Sequence, residues 1–367
     1  MKWIIWGTGK WSKYLFHYME QKNELNNIVM VVDSDNQKWE KIWLDYKIQS
    51  PEKIKEVEFD KIIVAVWIWR PIYNMLVNEW KIESYKVDNL FFYQKAALLK
   101  YYAEKKNIDY QIELQLKYIK EHQLDIFNDK FVENYIDKDI EVEWDNEKAL
   151  FYVIHLGKKM YFPKKYNSKR MVADYYCSLL LEQDKESPHR YLSDKFQVKE
   201  GDIVLDAGVA EGNFSLEIVE RVKKLYLIEM DKEWIEALQY TFEPYMEKVC
   251  IVSKFLTNKN DDNCITIDKL IDGGQLDVVK MDVEGSETDA LKGGKNTFIN
   301  NNITAAICSY HKENDYNEIS SILKQYNYNV CHTKGYMVFI NEKNFVEREK
   351  TNVPKFVRGV IYANKEI

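Results

Sequence analysis

Val204-Leu-Asp-Ala-Gly-Val-Ala-Glu-Gly-Asn213, followed after thirteen intervening residues by Leu227-Ile-Glu229, is the stretch that decides the fold. An apolar run ends in Asp206, Gly208 and Gly212 follow, and an amphipathic helical pattern begins. A second apolar run ends in Glu229, 23 positions after Asp206. This reads as strand, tight glycine turn, helix, and a second strand closed by an acid. That is the unit with which a parallel sheet holds a ribose-bearing ligand. The glycines let backbone approach a ligand closely, and the carboxylate of Glu229 suits the two ribose hydroxyls. The spacing Asp-x-Gly-x-x-x-Gly departs from the dinucleotide form Gly-x-Gly-x-x-Gly. It therefore favours a nucleoside carrying an uncharged or positive group over a pyrophosphate.

Working outward, the 367 residues exceed one typical core and predict at least two domains. The formal charge of -7, with Lys and Glu intermixed, argues against general nucleic-acid binding, which needs a basic surface. The longest apolar run, Ile62 to Trp69, is too short to cross a bilayer, so no membrane insertion is expected. Five cysteines without a CxxC pair suit a reducing cytoplasm.

Residues 1 to 92 read as a small Rossmann-like α/β domain: Trp3 to Trp6 and Ile28 to Val32 as strands, with Gly7-Thr-Gly9 and Asp33 at their ends. A nucleotide-sugar ligand and a plain scaffold both stay open for it. Residues 93 to 169 read as a helical connector and a small β-hairpin region. Residues 170 to 367 carry the second doubly wound sheet. Its strands are expected at 203–206, 225–229, 249–252, 276–282, 303–308, 336–340 and 356–362. The last two lack a crossover helix between them and predict an antiparallel hairpin at the sheet's end.

Two further strings carry chemistry. Leu276-Asp-Val-Val-Lys-Met-Asp-Val-Glu-Gly-Ser-Glu287 delivers Lys280, Asp282 and Glu284 to the carboxyl end of a strand, the edge where ligands sit. Strand alternation puts Lys280 and Asp282 on one side. Asp282 is expected to face a cofactor and Glu284 to orient a hydroxyl or take a proton, while Glu287 reads as a helix N-terminal charge complementing the dipole. Cys308-Ser-Tyr-His-Lys312 closes the next strand, so His311 reaches the same rim as a proton acceptor. Tyr310 and Lys312 are substrate donors there, and His189 with Arg190 can fold over the crevice. No HExxH, facial-triad or EF-hand spacing occurs, and no metal is predicted.

The region from about 170 to 363 resembles the FkbM-type methyltransferases, through the glycine turn, Leu227-Ile-Glu-Met-Asp231, the Lys-x-Asp-x-Glu-Gly-x-Glu string and Tyr310-His311. The resemblance implies a class I methyltransferase fold and S-adenosyl-L-methionine as cofactor. Asp206, Gly208, Glu211, Gly212 and Asn213 would line the methionine and ribose side, with Glu229 on the ribose and Met230 against the adenine. Asp282, Glu284 and His311 would border the acceptor, a hydroxyl of a saccharide, nucleotide-sugar or glycoconjugate, with His311 as base and Glu284 as its rival or orienter. The first quarter of the chain resembles small nucleotide-sugar-binding-like domains attached to bacterial polysaccharide-biosynthesis enzymes. An NAD-linked sugar oxidoreductase or epimerase is the alternative enzyme, and a nucleotide-sugar-binding scaffold that recruits a glycosyltransferase is the non-catalytic one. A homo-oligomer or a glycosyltransferase complex is the assembly such a protein would enter.

Overall fold

The structure, a computed structural model, describes residues 1–135, 139–340 and 353–365. It divides into two compact units, one from Met1–Asp137 with Val338–Phe356 and the other from Lys138–Met337 with Val357–Ile367. The α/β architecture and the Rossmann-like C-terminal sheet expected from the sequence are both present.

The first unit holds a six-stranded sheet in the order Ile42–Trp43, Tyr46–Gln49, Ile28–Val32, Trp3–Trp6, Lys61–Val64, Val87–Asn89. Ile42–Trp43 pairs antiparallel and the other neighbours pair parallel. Its central strands read as unbroken apolar runs because both faces are covered. Ile4, Trp6, Val32, Ile62 and Val64 enter one core, while Trp3, Ile5, Val31 and Ile63 enter another with Leu15, Phe16 and Met19 of the helix Lys10–Gln21. The helices Phe92–Ala103 and Tyr110–Glu121 belong to this unit.

The second unit begins with a three-stranded antiparallel sheet over Glu143–Asp145, Leu150–His155 and Lys158–Tyr161. Its main sheet has seven strands: β1 (Ile203–Ala207), β2 (Lys224–Ile228), β3 (Val249–Val252), β4 (Val278–Met281), β5 (Thr304–Cys308), β6 (Asn329–His332) and β7 (Val360–Asn364). They lie in the order β3-β2-β1-β4-β5-β7-β6, with β7 antiparallel to both neighbours. An antiparallel pair ends the sheet, but its strands are not consecutive in the chain, so it is not the expected hairpin. The strand beside β7 is Asn329–His332, not the 336–340 segment, whose Val338 and Ile340 join the core of the first unit. Asn329-Val-Cys-His332 is short and half polar, as an edge strand is, so it lacks the apolar run that marks a central one.

The turn after β1 is fixed by a buried ion pair. Asp206 and Lys280 are direct cross-strand partners on β1 and β4. Lys280 is 4% exposed and Asp206 1%. The Lys280 Nζ lies 3.0 Å from Asp206 Oδ1 and donates to the Gly208 carbonyl at 2.6 Å. Burial opposes a charge on Lys280, but Asp206 and Asp282 outweigh it and hold the ammonium above its ordinary range. The other Asp206 oxygen accepts from the Ser215 hydroxyl at 2.6 Å, tying β1 to the helix Asn213–Ile218. Removing one partner of such a pair strands a charge in the core. Lys280→Met is therefore expected to lose about 3–5 kcal/mol of stability, with part of it recovered in Asp206→Asn/Lys280→Met, as read by chemical denaturation. A Lys280→Met protein as stable as the parent would show that the pair does not hold the turn.

Candidate active site

Three strand ends meet at the carboxyl edge of the second sheet. After β1, Gly208 and Gly212 take φ of +72° and +78°. A Cβ on Gly208 would lie 1.7 Å from the Asp282 carbonyl oxygen, so the turn packs directly against the end of β4 and admits no side chain there. After β2, the half-buried Glu229 accepts from the backbone N–H of Ala210 at 2.9 Å with one oxygen. Its other oxygen accepts from Met230 and Asp231 at 2.7 and 2.8 Å. Glu229 thus clips the end of β2 to the glycine turn. Three of a carboxylate's roughly four acceptor directions are taken.

Glu211, at the crest of the turn, is buried and accepts from the Tyr175 hydroxyl at 3.1 Å. Burial pushes its carboxyl up to about 7. Glu182, on the helix Lys169–Glu182, is pushed up to about 8 by burial and by the charges of Glu211 and Asp282. Two acids destabilised in this way make a neighbourhood whose electrostatics favour a cation. The donor set fits S-adenosylmethionine on that ground: an acid at the β2 end for the ribose, and raised carboxyls for a ligand bearing a sulfonium and an ammonium.

Asp282, just past β4, is the hub of the other side. Its carboxylate accepts from the Tyr191 hydroxyl at 2.9 Å, with the Tyr310 hydroxyl at 3.5 Å. His311 Nε2 lies 3.2 Å away and His189 Nε2 3.7 Å away. Burial alone would raise this carboxyl, yet His311, Lys280 and His189 bring it far below the usual range. His311 is wedged between two acids, with Nδ1 2.9 Å from Glu287 Oε1. Neither ring nitrogen makes a well-aligned hydrogen bond, so these are ion-pair contacts. Burial disfavours the imidazolium, but Asp282 and Glu287 overcome that and raise its pKa to about 10. His311 therefore carries its proton at neutral pH. His189 takes the opposite state. Burial lowers it to about 4, and Gln183 Nε2 approaches its Nδ1 at 3.4 Å, leaving Nε2 to donate to Tyr310 at 2.9 Å.

The remaining predicted residues fall into clear places. Glu287 is fully buried and also accepts from the Val283 N–H at 2.9 Å, so it does more than complement a helix dipole. Glu284 stands at the rim with its side chain 91% exposed, 3.7 Å from His311 Nε2 and with φ of +52°. A non-glycine residue in that conformation marks strain of the kind concentrated at functional sites. Lys312 donates to the Gly285 carbonyl, and Arg190 donates to the carbonyls of Gln183 and Leu192. Lys280, expected to meet substrate, faces the core. Asn213 opens its helix, and its side-chain oxygen accepts from the adjacent Phe214 N–H at 2.6 Å. Tyr175, Glu182 and Tyr191 went unnoticed in the sequence, since nothing in their local pattern separates them from core aromatics and surface acids.

Among the described residues, ligand-type atoms approach one another in two triads, His189–Asp282–Cys308 and Asp282–Glu287–His311. In the second, His311 turns opposite ring nitrogens to the two acids. In the first, burial and Asp282 keep the Cys308 thiol protonated and His189 Nε2 donates to Tyr310. Neither arrangement converges lone pairs on one point.

Residues 251–330 match the family described as Methyltransferase FkbM domain. The C-terminal region is an FkbM-type, S-adenosylmethionine-dependent methyltransferase domain. Residues 1–91 match C2185-like, N-terminal. Among solved structures, the FkbM methyltransferase of Methylobacillus flagellatus is 13% identical over 99% of this chain and 89% of its own, with a TM-score of 0.49. The precorrin-6y C5,15-methyltransferase of Geobacter metallireducens is 10% identical over 47% of this chain and 85% of its own, at 0.33. An S-adenosylmethionine-dependent O-methyltransferase of Thermotoga maritima is 16% identical over 46% and 60%, at 0.30. No curated protein matches the chain. The methyltransferase domain includes Lys280, Asp282, Glu284, Glu287, Tyr310 and His311 within its matched span. No helix among the described residues is long and apolar enough to cross a membrane.

The state of His311 has a pH signature. Its folded pKa lies above the ordinary 6.5, so its stabilising contribution is complete below about 6.5 and is lost as pH rises towards 10. The melting temperature is expected to fall on the alkaline side, and His311→Gln to flatten that limb. An alkaline limb unchanged in His311→Gln would contradict the paired imidazolium.

Proposed function

We propose that this methyltransferase transfers its methyl group to a hydroxyl of a saccharide or glycoconjugate. The observation that carries the reading is the polar wall around Asp282. Tyr191, Tyr310, His189 and His311 surround one carboxylate, with Glu284 beside His311 at the rim, and so polar a neighbourhood suits a hydroxyl-bearing acceptor better than an apolar one. The resemblance of the first quarter of the chain to domains attached to polysaccharide enzymes points the same way. In this division of labour residues 170–367 perform the transfer, residues 1–92 serve the acceptor or a partner enzyme, and 93–169 join them. Five free thiols suit a cytoplasmic setting.

When bound, the cofactor supplies an electrophilic methyl on a sulfonium. Glu229 holds the ribose, Met230 borders the adenine, and Asp206, Gly208, Gly212 and Asn213 shape the turn that receives the nucleoside. Glu211 and Glu182 ionise towards the cationic end. The protein's main task is then alignment of an oxygen with that methyl in a closed polar site.

An alcohol oxygen needs a proton acceptor. His311 already holds a proton between Asp282 and Glu287, so it serves as a fixed cation beside the acceptor. Glu284 is the acid of this cluster open to the rim, and it takes the proton. Tyr310 and Lys312 border the acceptor, with His189 behind Tyr310. Glu284→Gln is expected to lower turnover by roughly 10²–10⁴-fold, with S-adenosylhomocysteine affinity unchanged in calorimetry. Turnover within about threefold of the parent would remove Glu284 from the role.

A further inference from the structure

The first unit has its own ligand edge. Its strand order runs outward in two directions from the adjacent pair Trp3–Trp6 and Lys61–Val64. Their carboxyl ends thus form the switch point at which open parallel sheets take ligands. The residues that follow each strand make an unusual rim. Trp11 and Trp67 stack across it with centroids 4.5 Å apart and planes 24° apart. Trp67 is braced edge-on by Phe91 at 5.6 Å, and Trp11 leans on Tyr14 at 5.8 Å. Trp67 remains 37% exposed, with Ile68 beside it at 41%. Two indoles locked together give a flat apolar surface that needs no ordering on binding.

The position that would take a ribose in a nucleotide fold is occupied. Asp33 accepts from the Thr8 N–H at 2.9 Å, the Thr8 hydroxyl, the Asp35 N–H at 2.9 Å and the Lys38 Nζ at 3.1 Å. The floor is closed as well, since a Cβ on Gly7 would lie 2.6 Å from Val66 Cγ1. Space is open one step further out, where a Cβ on Gly9 would meet nothing within 4 Å. Lys10 follows in the chain, its Nζ 5.9 Å from the Trp11 ring and 5.8 Å from that of Tyr14. The twelve-residue helix begins at Lys10 without a side-chain cap, which puts its positive end at the same turn.

We infer that this rim is a saccharide-binding site that takes an anionic pyranose, its ring face against Trp67 and its carboxylate or phosphate towards Lys10 and the helix start. The inference rests on the reading of a saccharide acceptor and gives the first unit the task of holding it. Four donors already on Asp33 disfavour a dinucleotide ribose there, and the Lys10 ammonium beside the aromatic rings disfavours a neutral apolar ligand.

Saturation-transfer NMR on the full chain, with glucuronate, glucose 1-phosphate and glucose as probes, tests it. Ring C–H protons of at least one anionic probe are expected to receive saturation, with glucose weaker. The signal should fall roughly tenfold in Trp67→Ala, persist in part in Trp67→Phe, which keeps an aromatic face, and drop to the glucose level in Lys10→Ala. Trp144→Ala, an indole 46% exposed in the other unit, should leave it unchanged. Transfer from glucuronate alone assigns an acidic sugar, and from glucose 1-phosphate alone a sugar phosphate. No transfer from either anion, or transfer that survives Trp67→Ala, overturns the site. The acceptor reading is checked separately by product analysis with labelled S-adenosylmethionine. A labelled non-saccharide product would sink that reading, while the NMR result would still decide the rim.

Discussion

The ion pair between Asp206 and Lys280 joins the two central strands of the catalytic sheet where no water can soften it. Charges at that depth persist when each satisfies the other and the remaining lone pairs find donors. Asp206 does so with Ser215, and Lys280 with the Gly208 carbonyl. The glycine turn is thereby pinned from below, while Glu229 clips it from the side through Ala210. With no room for a side chain between Gly208 and the Asp282 carbonyl, the glycine turn and the end of β4 pack directly together. A shift at either would be felt at the other. That coupling suits a reaction whose catalysis is mostly alignment.

Around this clamp the charges are sorted by depth. The deepest groups are mutually paired. Glu182 and Glu211 lie nearer the turn, raised by burial and ready to ionise against a cation. The acceptor side holds two histidines in opposite states, His189 neutral through desolvation and His311 protonated through Asp282 and Glu287. Identical side chains a few ångströms from one carboxylate thus acquire different chemistry from their surroundings. Glu284 differs from all of these in standing open to the rim.

Much of this was legible in the sequence. The strand–turn–helix rhythm around Asp206 and the acid at Glu229 specify a parallel sheet and its ligand edge, because glycine turns and apolar runs are local signals. The alternation placing Lys280 and Asp282 on one side was readable too. What Lys280 meets on that side was not, since cross-strand register depends on the packing of the whole sheet. The protonation of His311 was equally hidden: it follows from Glu287, 24 residues earlier, folding back beneath it. Tyr191 and Glu182 reach the site from segments without any motif. The edge strand Asn329–His332 escaped because it buries too little apolar surface to show a period.

The central claim is that the methyl donor sits at the turn after Asp206, and not at the glycine turn that opens the chain. Hydrogen–deuterium exchange of the full chain with and without S-adenosylhomocysteine tests this most directly. Slower exchange over residues 206–214 and 227–232, with residues 6–12 unchanged, is the expected result. Protection confined to residues 6–12, or no protection at either turn under saturating ligand, would contradict the account.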